Sequence, residues 1–405
     1  MANVSSSNGI EKYPKLRFPE FTEPWKKIKI GDIYAERSER GSETSELLSV
    51  TMNDGVKRRS ELEGKDNSSE DKGNYKVVCT GDMVYNSMRM WQGANGISPY
   101  NGIVSPAYTV LTAKCDISNG FFAALFKTHK LISEFCKHSQ GMTSDTWNLK
   151  YPQIESIKTY IPSVAEQKKI AALIEKVDKR IAIQKELIDS LKKYKRGAFE
   201  SVFSQKLKLT NSNTPWKKFK LSDFATRITR KNGEQTDIPL TISAQYGLID
   251  QRNFFSKTVA STDMSGYYLL KSGEFAYNRS TSNDYPFGSI KRLEKYKKGA
   301  VSTLYICFEI NKEIMNSDFI TLFFESTKWH KQISEICAEG ARNHGLLNVP
   351  TNGFFDCVFD LPSNLDEQEK IASLLNAIQD KLDNENKILE QLQFFKKALL
   401  QSMFI

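Results

Sequence analysis

The chain repeats its own sequence, and this duplication limits the possible folds more than any other feature. The segment TEPWKKIKIGDI at 22–33 returns as NTPWKKFKLSDF at 213–224, and IPSVAEQKKIAALI at 161–174 returns as LPSNLDEQEKIASLL at 361–375. Glycine-centred patterns between these segments also match in the same order. The offset grows from 191 to 201 residues, so the second copy carries ten extra residues in its loops. The ordered matches predict a tandem duplication.

Each copy begins with a mixed segment and ends with a long helix. In the first copy, 76–86 and 102–113 have the composition of strands, and 121–138 has apolar residues at helical spacing. In the second copy, 300–310 predicts a strand and 318–337 predicts a helix. The two copies therefore share one order of elements.

The terminal helix of each copy is unusually long, running from 166 to about 200 and from 367 to about 403. At 1.5 Å per residue each helix is on the order of 50 Å long, well beyond the usual length in a globular domain. This length indicates a coiled coil or a bundle.

Heptad spacing predicts which residues pair the two helices. Both seams are apolar at their ends and polar at their centres, so an antiparallel pair would place Arg180 opposite Glu385. Residues 161–203 carry a net charge of +4 and residues 362–405 carry −2, which favours pairing between the two helices. The alternative is that each helix packs on its own domain and exposes its polar residues to water. The predicted pairing residues are Ile170, Leu173, Val177, Arg180, Leu187, Leu191, Ile371, Leu374, Ile378, Glu385, Ile388 and Leu392.

The expected fold class is α+β. Two tandem mixed α/β domains are separated by two long helices that pair as an antiparallel coiled coil, which gives a pseudo-two-fold internal repeat. The predicted boundaries are 1–160 for the first domain, 161–203 for the first helix, 204–215 for a linker, 216–361 for the second domain and 362–405 for the second helix.

The charge of the chain gives a weak indication of a polyanionic partner. Lys and Arg number 57 against 48 Asp and Glu, a net charge of +9, but the two domains contribute only +2 and +5. Loops at corresponding places combine basic residues with Asn, Gln or aromatic side chains, which contact phosphates and base edges in DNA. The alternative is that these loops are solvated turns. The candidate DNA-contacting residues are Lys57, Arg58, Arg59, Arg89, Trp91, Gln92, Asn148, Gln245, Arg252, Arg279, Asn283, Arg342, Asn343 and His344, with phosphate contact favoured for the first three.

Several classes of chemistry have no sequence signature in this chain. The sequence contains no phosphate-binding G-x-x-x-x-G-K-[ST] loop, no Asn/Asp-Pro-Pro-Tyr/Phe methyltransferase tetrapeptide and no H-E-x-x-H motif. Four histidines and six cysteines without a C-x-x-C pair do not suggest a metal site or a disulfide framework. Because no apolar run approaches about 18 residues and the N-terminus lacks a signal-peptide core, we expect a cytoplasmic protein without metal or membrane contacts.

Two further repeated features have structural interpretations. Trp25 and Trp216 are expected to pack beneath a strand at the start of each domain. Glu166-Gln167 and Glu367-Gln368 follow a proline and are expected to help start the long helices near their positive N-terminal dipole.

These motifs together resemble the specificity subunits of type I restriction–modification systems over essentially the whole chain. The motifs are the P-W-K-x-[IFL]-x-[IL] segments at 24–30 and 215–221, the Leu/Ile-Pro lead-ins at 161–172 and 361–372, the PKLRFPEF opening at 14–21, and KKALLQSMF at 396–404 with its echo at 195–203. The resemblance implies two target recognition domains, each reading one half of a bipartite asymmetric double-stranded DNA site. It also implies that the helices set the spacing and dock two methyltransferase subunits, through which motor-nuclease subunits are recruited.

The leading hypothesis is a non-catalytic DNA-recognition subunit that acts in phage defence. On this hypothesis the chain itself binds no cofactor, and S-adenosylmethionine, ATP and Mg²⁺ are held by the partner subunits. The alternatives are a stand-alone DNA-binding protein and a coiled-coil scaffold, neither acting in restriction–modification.

Overall fold

A computed structural model of the chain divides into two compact units. Unit 1 comprises Met1–Leu187 and Glu385–Ile405, and unit 2 comprises Ile188–Asn384. Each unit therefore holds one mixed domain and a part of both long helices, whereas the sequence-based boundaries were drawn at the helix ends. The structure describes residues 2–3, 13–41, 45–52, 54–64, 66, 68–209, 215–243, 246–253, 261, 263–282, 285–337 and 345–405.

Unit 1 is built on a four-stranded antiparallel sheet. The strands of unit 1 are β1 (Ala2–Asn3), β2 (Leu16–Arg17), β3 (Lys26–Lys29), β4 (Tyr34–Glu36), β5 (Leu48–Thr51), β6 (Gly55–Arg58), β7 (Lys76–Val78), β8 (Met83–Asn86), β9 (Asn95–Ile97), β10 (Gly102–Val104), β11 (Tyr108–Ala113) and β12 (Lys158–Ile161). Its helices are α1 (Ile30–Ile33), α2 (Asn119–Leu125), α3 (His129–His138), α4 (Tyr151–Ile154) and the first part of α5 (Val164–Phe203). The sheet has the order β4-β11-β8-β9, and β1/β2, β3/β12, β5/β6 and β7/β10 form separate antiparallel pairs.

Unit 2 repeats this arrangement. Its strands are β13 (Lys217–Lys220), β14 (Ala225–Ile228), β15 (Leu240–Ser243), β16 (Gly247–Asp250), β17 (Tyr268–Lys271), β18 (Phe275–Asn278), β19 (Ser289–Arg292), β20 (Lys298–Val301), β21 (Ile306–Ile310) and β22 (Val358–Leu361). Its helices are α6 (Leu221–Phe224), α7 (Ser317–Glu325), α8 (His330–Ile336), α9 (Thr351–Asp356) and the first part of α10 (Leu365–Ser402). The sheet order β14-β21-β18-β19 and the pairs β13/β22, β15/β16 and β17/β20 correspond one to one with the sheet and the last three pairs of unit 1.

Short turns divide several elements that the sequence predicted as continuous. The predicted strand 76–86 is β7 and β8, separated by a turn in which Gly81 has φ = 94°, and Gly273 has φ = 88° at the matching turn of unit 2. This left-handed conformation favours glycine. The predicted strands 102–113 and 300–310 are likewise each two strands.

The predicted domain helices are also interrupted. The segment 121–138 forms α2 and α3 because Thr128 caps a new helix by accepting a hydrogen bond from the Leu131 N–H. The segment 318–337 forms α7 and α8. Both interruptions occur at polar residues that bond to the backbone instead of continuing the helix.

Both long helices are somewhat longer than predicted. Helix α5 has 40 residues and α10 has 38, which correspond to about 60 Å and 57 Å at 1.5 Å per residue. In unit 1 they run antiparallel, because Asp178 pairs with Lys396 (2.5 Å) while Gln184, further along α5, contacts the earlier residue Glu385. In unit 2, Lys195 donates to Gln379 (2.5 Å).

The pairing register differs from the predicted one. The buried residues along this face of α5 are Ile170, Ile174, Val177, Ile181, Gln184 and Ile188. The second heptad position, predicted at Leu173, Arg180 and Leu187, therefore lies one residue later than predicted. Leu173, Leu191, Leu374 and Leu392 are half-buried, Ile371 and Ile378 are buried, and Leu187 and Ile388 are exposed. Arg180 is exposed as well, so the predicted Arg180–Glu385 pair is wrong. The Gln184 amide instead donates to the Glu385 carboxylate at 2.6 Å, with both side chains buried.

Candidate nucleic-acid interface

Two predicted DNA-contacting loops of unit 1 are held together by the backbone. The segment after β8 meets the segment before α4 through a hydrogen bond from Leu149 N–H to Ser87 O (2.8 Å). Within the second segment, Gln140 and Asn148 form an antiparallel bridge. The loop between them is therefore anchored at both ends.

Two tryptophans join these loops. The rings of Trp91 and Trp147 lie edge to face with their centroids 5.3 Å apart, and Trp91 Nε1 donates to Met88 O (3.0 Å). Gln92 is half-buried beside them, and the buried Asn148 Oδ1 has no hydrogen-bond partner in the described part of unit 1. The surface thus combines an edge-to-face aromatic pair with the half-buried amide of Gln92, a group that can bond to bases.

Arg89 and Met142 are both exposed on this surface. Arg89 is exposed, and its guanidinium makes no hydrogen bond or ion pair with the described residues. Met142 is fully exposed on the anchored loop, and Met88 is 40% exposed. Neither methionine is among the predicted contact residues, because methionine is usually a core residue and the sequence does not show which methionines are exposed.

The three basic residues on and after β6 have different roles. Arg58 lies over the Tyr100 ring at 4.5 Å and remains partly exposed, and Lys57 is half-buried. Arg59 donates to the carbonyls of Leu62 (3.0 Å) and Gly64 (2.8 Å), so it is committed to its own loop. Phosphate contact is therefore better supported for Arg58 than for Arg59.

In unit 2 the segment after β18 also meets the segment before α9. Leu347 N–H donates to Arg279 O (3.0 Å), and this bond joins the same two segments as the Leu149–Ser87 bond of unit 1. The Arg279 guanidinium donates to the carbonyls of Leu304 (2.8 Å) and Val349 (3.2 Å), so this predicted DNA contact serves as a brace between loops.

Arg252 is also paired within unit 2. Its guanidinium bonds to Asp250 (2.7 Å), and this hydrogen bond lowers the pKa of the Asp250 carboxyl below its usual value. Asp237 lies 3.5 Å from the same guanidinium. The remaining candidates, Gln245, Asn283, Arg342, Asn343 and His344, lie outside the described residues.

Each unit contains a junction where a domain meets the starts and ends of the long helices. We define junction 1 as Trp25, Phe121, Glu166, Gln167 and Phe404. The Trp25 ring packs against Phe121 at 5.8 Å and Phe404 at 6.4 Å, and its Nε1 lies 3.4 Å from the Glu166 carboxylate. Arg17 holds that carboxylate with two bonds, at 2.8 and 2.7 Å, in a buried ion pair.

Junction 2 consists of Trp216, Phe319, Glu367, Gln368 and Phe203. The rings of Trp216 and Phe203 lie 6.4 and 6.0 Å from that of Phe319, and Trp216 Nε1 donates to Glu367 at 3.1 Å. No basic side chain in the described part of unit 2 pairs with Glu367. The repeated tryptophans thus cover the helix starts, and the glutamate of each Glu-Gln pair accepts from a tryptophan.

Two classes of site receive no support from the described residues. They include no group of three or more His, Cys, Asp or Glu arranged to hold a metal ion. None of the described helices is both long and apolar enough to cross a membrane.

The first of the two copies matches a known family of domains. Residues 22–193 match the sequence model of the type I restriction modification DNA specificity domain. This matched range covers the first domain, junction residues Trp25 and Glu166-Gln167, and most of α5. Residues 22–193 therefore carry a type I specificity domain. The second copy extends the same frame beyond the matched range, with the same sheet order.

A curated relative of the specificity family and two solved structures resemble the chain. The HindI specificity subunit of Haemophilus influenzae is 24% identical over 201 residues, which span 47% of this chain and only 41% of that relative. The type I S subunit of M. genitalium has 15% identity and a TM-score of 0.59, with 97% of this chain and 99% of that chain covered. A chain solved in work on complex assembly of the type I R-M system has 13% identity and a TM-score of 0.57, with coverages of 95% and 98%. The structural matches establish a shared fold.

Proposed function

We propose that this chain is the DNA-recognition subunit of a type I restriction–modification complex. Each unit would read one half of a bipartite, asymmetric double-stranded DNA site. The chain would catalyse nothing itself, and partner subunits would bind S-adenosylmethionine, ATP and Mg²⁺ and carry out methylation, ATP hydrolysis and cleavage. The match of residues 22–193 to the specificity-domain model supports this assignment.

One observation carries the proposal for a two-part site. In each unit one backbone bond ties the segment after β8 or β18 to the segment before α4 or α9, Leu149 to Ser87 and Leu347 to Arg279. The side chains on these segments differ, since unit 1 presents Arg89 and the Trp91–Trp147 pair where unit 2 uses Arg279 as a brace. A shared frame with different base-facing groups suits recognition of two different half-sites.

The long helices would set the spacing between the half-sites and dock two methyltransferase subunits, which in turn recruit the motor-nuclease subunits. At about 60 Å, α5 is longer than the 34–36 Å that separates neighbouring half-sites on one face of B-DNA. We therefore expect a site with unread base pairs between its two specific parts.

The test is a matched insertion in both helices. Seven residues are added between Leu187 and Ile188 and seven between Asn384 and Glu385, because a whole heptad keeps the buried seam in phase. Each helix gains about 10 Å, so the unread spacer should lengthen by about three base pairs at 3.4 Å per pair. Methylation mapping in a host that expresses the whole complex measures the spacer directly.

An unchanged spacer in a variant that still methylates would contradict the proposed role of the helices. A wild-type complex whose DNA binding is insensitive to salt and sequence would instead favour a scaffold, because phosphate contacts make DNA binding salt-dependent.

A further inference from the structure

The glutamine of each Glu-Gln pair makes two corresponding bonds in both units, and Gln368 also donates to Ile314 O (3.3 Å). In unit 1, Gln167 accepts from Ser118 N–H (3.1 Å) and donates to Pro162 O (3.0 Å). In unit 2, Gln368 accepts from Asn316 N–H (2.6 Å) and donates to Pro362 O (2.8 Å). Gln167 is 1% exposed and Gln368 is fully buried. From the sequence, these residues are expected only to help start their own helices.

The bonded N–H groups belong to the residues that cap the domain helices α2 and α7. Ser118 and Asn316 are the N-cap residues, and their side chains accept from the first turns of these helices. The N–H of an N-cap residue is often satisfied by a Glu or Gln three residues later. That position is Phe121 in α2 and Phe319 in α7, and neither side chain can accept a hydrogen bond.

The glutamine at the start of a long helix therefore completes the cap of a domain helix. Its amide also bonds the carbonyl of the proline that precedes the long helix, so one side chain joins both elements. The phenylalanine at the third position packs on Trp25 in junction 1 and on Trp216 in junction 2. A buried amide with both ends bonded has one orientation, so it holds the start of the domain helix against the start of the long helix.

We propose that Gln167 and Gln368 are positioning residues that transmit the geometry of the long helices to the recognition domains. This inference rests on the proposed function and deepens it: the spacer length is set by the helices and held to one value by these two amides. Without them, each domain would tilt about the start of its long helix and accept more than one spacing.

The experiment compares Gln167→Met/Gln368→Met with wild type and with Gln393→Met as the matched control, since Gln393 is exposed on α10. Methionine keeps the length of the side chain and removes the amide. Each complex, assembled with its methyltransferase subunits, is given a DNA library in which the spacer between the two half-sites varies. The expected result is methylation of the same half-sites with loss of preference for one spacer, while the control stays wild-type.

A double variant that unfolds at a lower temperature but keeps a single spacer would overturn the proposal, since a merely structural role predicts that outcome. A second readout uses genetically encoded spin labels at exposed Lys130 and Lys185 of unit 1. We expect Gln167→Met to broaden the distance distribution between them, and an unchanged distribution would count against the positioning role. If the wild-type complex recognised no bipartite site, the proposed function would fail, and the spin-label distances would still decide whether Gln167 fixes the domain.

Discussion

The two units of this protein share a frame and differ in how they stabilise it. In junction 1 the buried Glu166 carboxylate receives two bonds from Arg17 and one from Trp25, whereas in junction 2 Glu367 receives one from Trp216. The glutamines beside them share two bonds in both units, one to an N-cap N–H and one to a proline carbonyl. The bonds of the glutamine and the tryptophan are common to both junctions, whereas the bonds from Arg17 are found in junction 1 alone among the described residues.

The largest expected difference between the units follows from Arg17. Arg17→Met leaves the Glu166 carboxylate buried without its cation, and breaking a buried ion pair costs about 3–5 kcal/mol. The matched control is Lys208→Met, since Lys208 lies 191 residues later and is exposed, and its expected change is below about 0.5 kcal/mol. Chemical denaturation of the two variants measures both free energies of unfolding. Equal losses would show that the ion pair is not what distinguishes the junctions.

A medium effect is expected from two arginines at comparable loops. Arg89→Met should weaken specific DNA binding by about 1–3 kcal/mol if the exposed guanidinium contacts a base, with little change in stability. Arg279→Met should instead lower the stability of unit 2, because the carbonyls of Leu304 and Val349 lose their donor. Binding assays and thermal melts of the assembled complex check both variants. A reversal of the two outcomes would mean that the loop roles are misassigned.

The smallest expected effect concerns two aspartates beside arginines. The pKa of Asp250 is lowered chiefly by its hydrogen bond to Arg252, whereas that of Asp66 is lowered chiefly by Ser68, with only a minor contribution from Arg59. The stability gained from the Arg252–Asp250 bond is present above the unfolded pKa of about 3.9 and is lost as the pH falls through the lower folded value. Carboxyl NMR titration should show a larger upward shift for Asp250 in Arg252→Met than for Asp66 in Arg59→Met. Equal pKa shifts in the two variants would show that Arg59 affects Asp66 as strongly as Arg252 affects Asp250.

The duplication and both long helices could be predicted from the sequence because each depends on a local pattern or on self-similarity. The pairing register could not, because α5 offers an apolar residue at both alternatives, Leu173 and Ile174, and again Leu187 and Ile188. Which of the two faces the partner depends on where α10 lies. Only the central position distinguishes the two in sequence, because the buried Ile181 is apolar whereas Arg180, the predicted seam residue, is charged.

The same limit applies to the candidate site. Exposed and braced arginines have the same appearance in sequence, and the carbonyl that holds Arg279 belongs to a residue 70 positions later in the chain. The role of Gln167 depends on Ser118, 49 positions earlier. The positions of the loops and junctions could therefore be predicted from motifs. The role of each side chain could not, because it depends on contacts with residues distant in the sequence.

The contact between Gln184 and Glu385 has a consequence for association between chains. These residues are 201 positions apart, the same offset that relates Glu166 to Glu367, so each is the repeat counterpart of the other. If α10 paired with α10 of a second molecule in the same register, two carboxylates would meet in one buried position, which is strongly unfavourable. Pairing of α10 with a second copy of α10 is thereby disfavoured. Helix α5, which carries Gln184, is the better partner for α10, which carries Glu385.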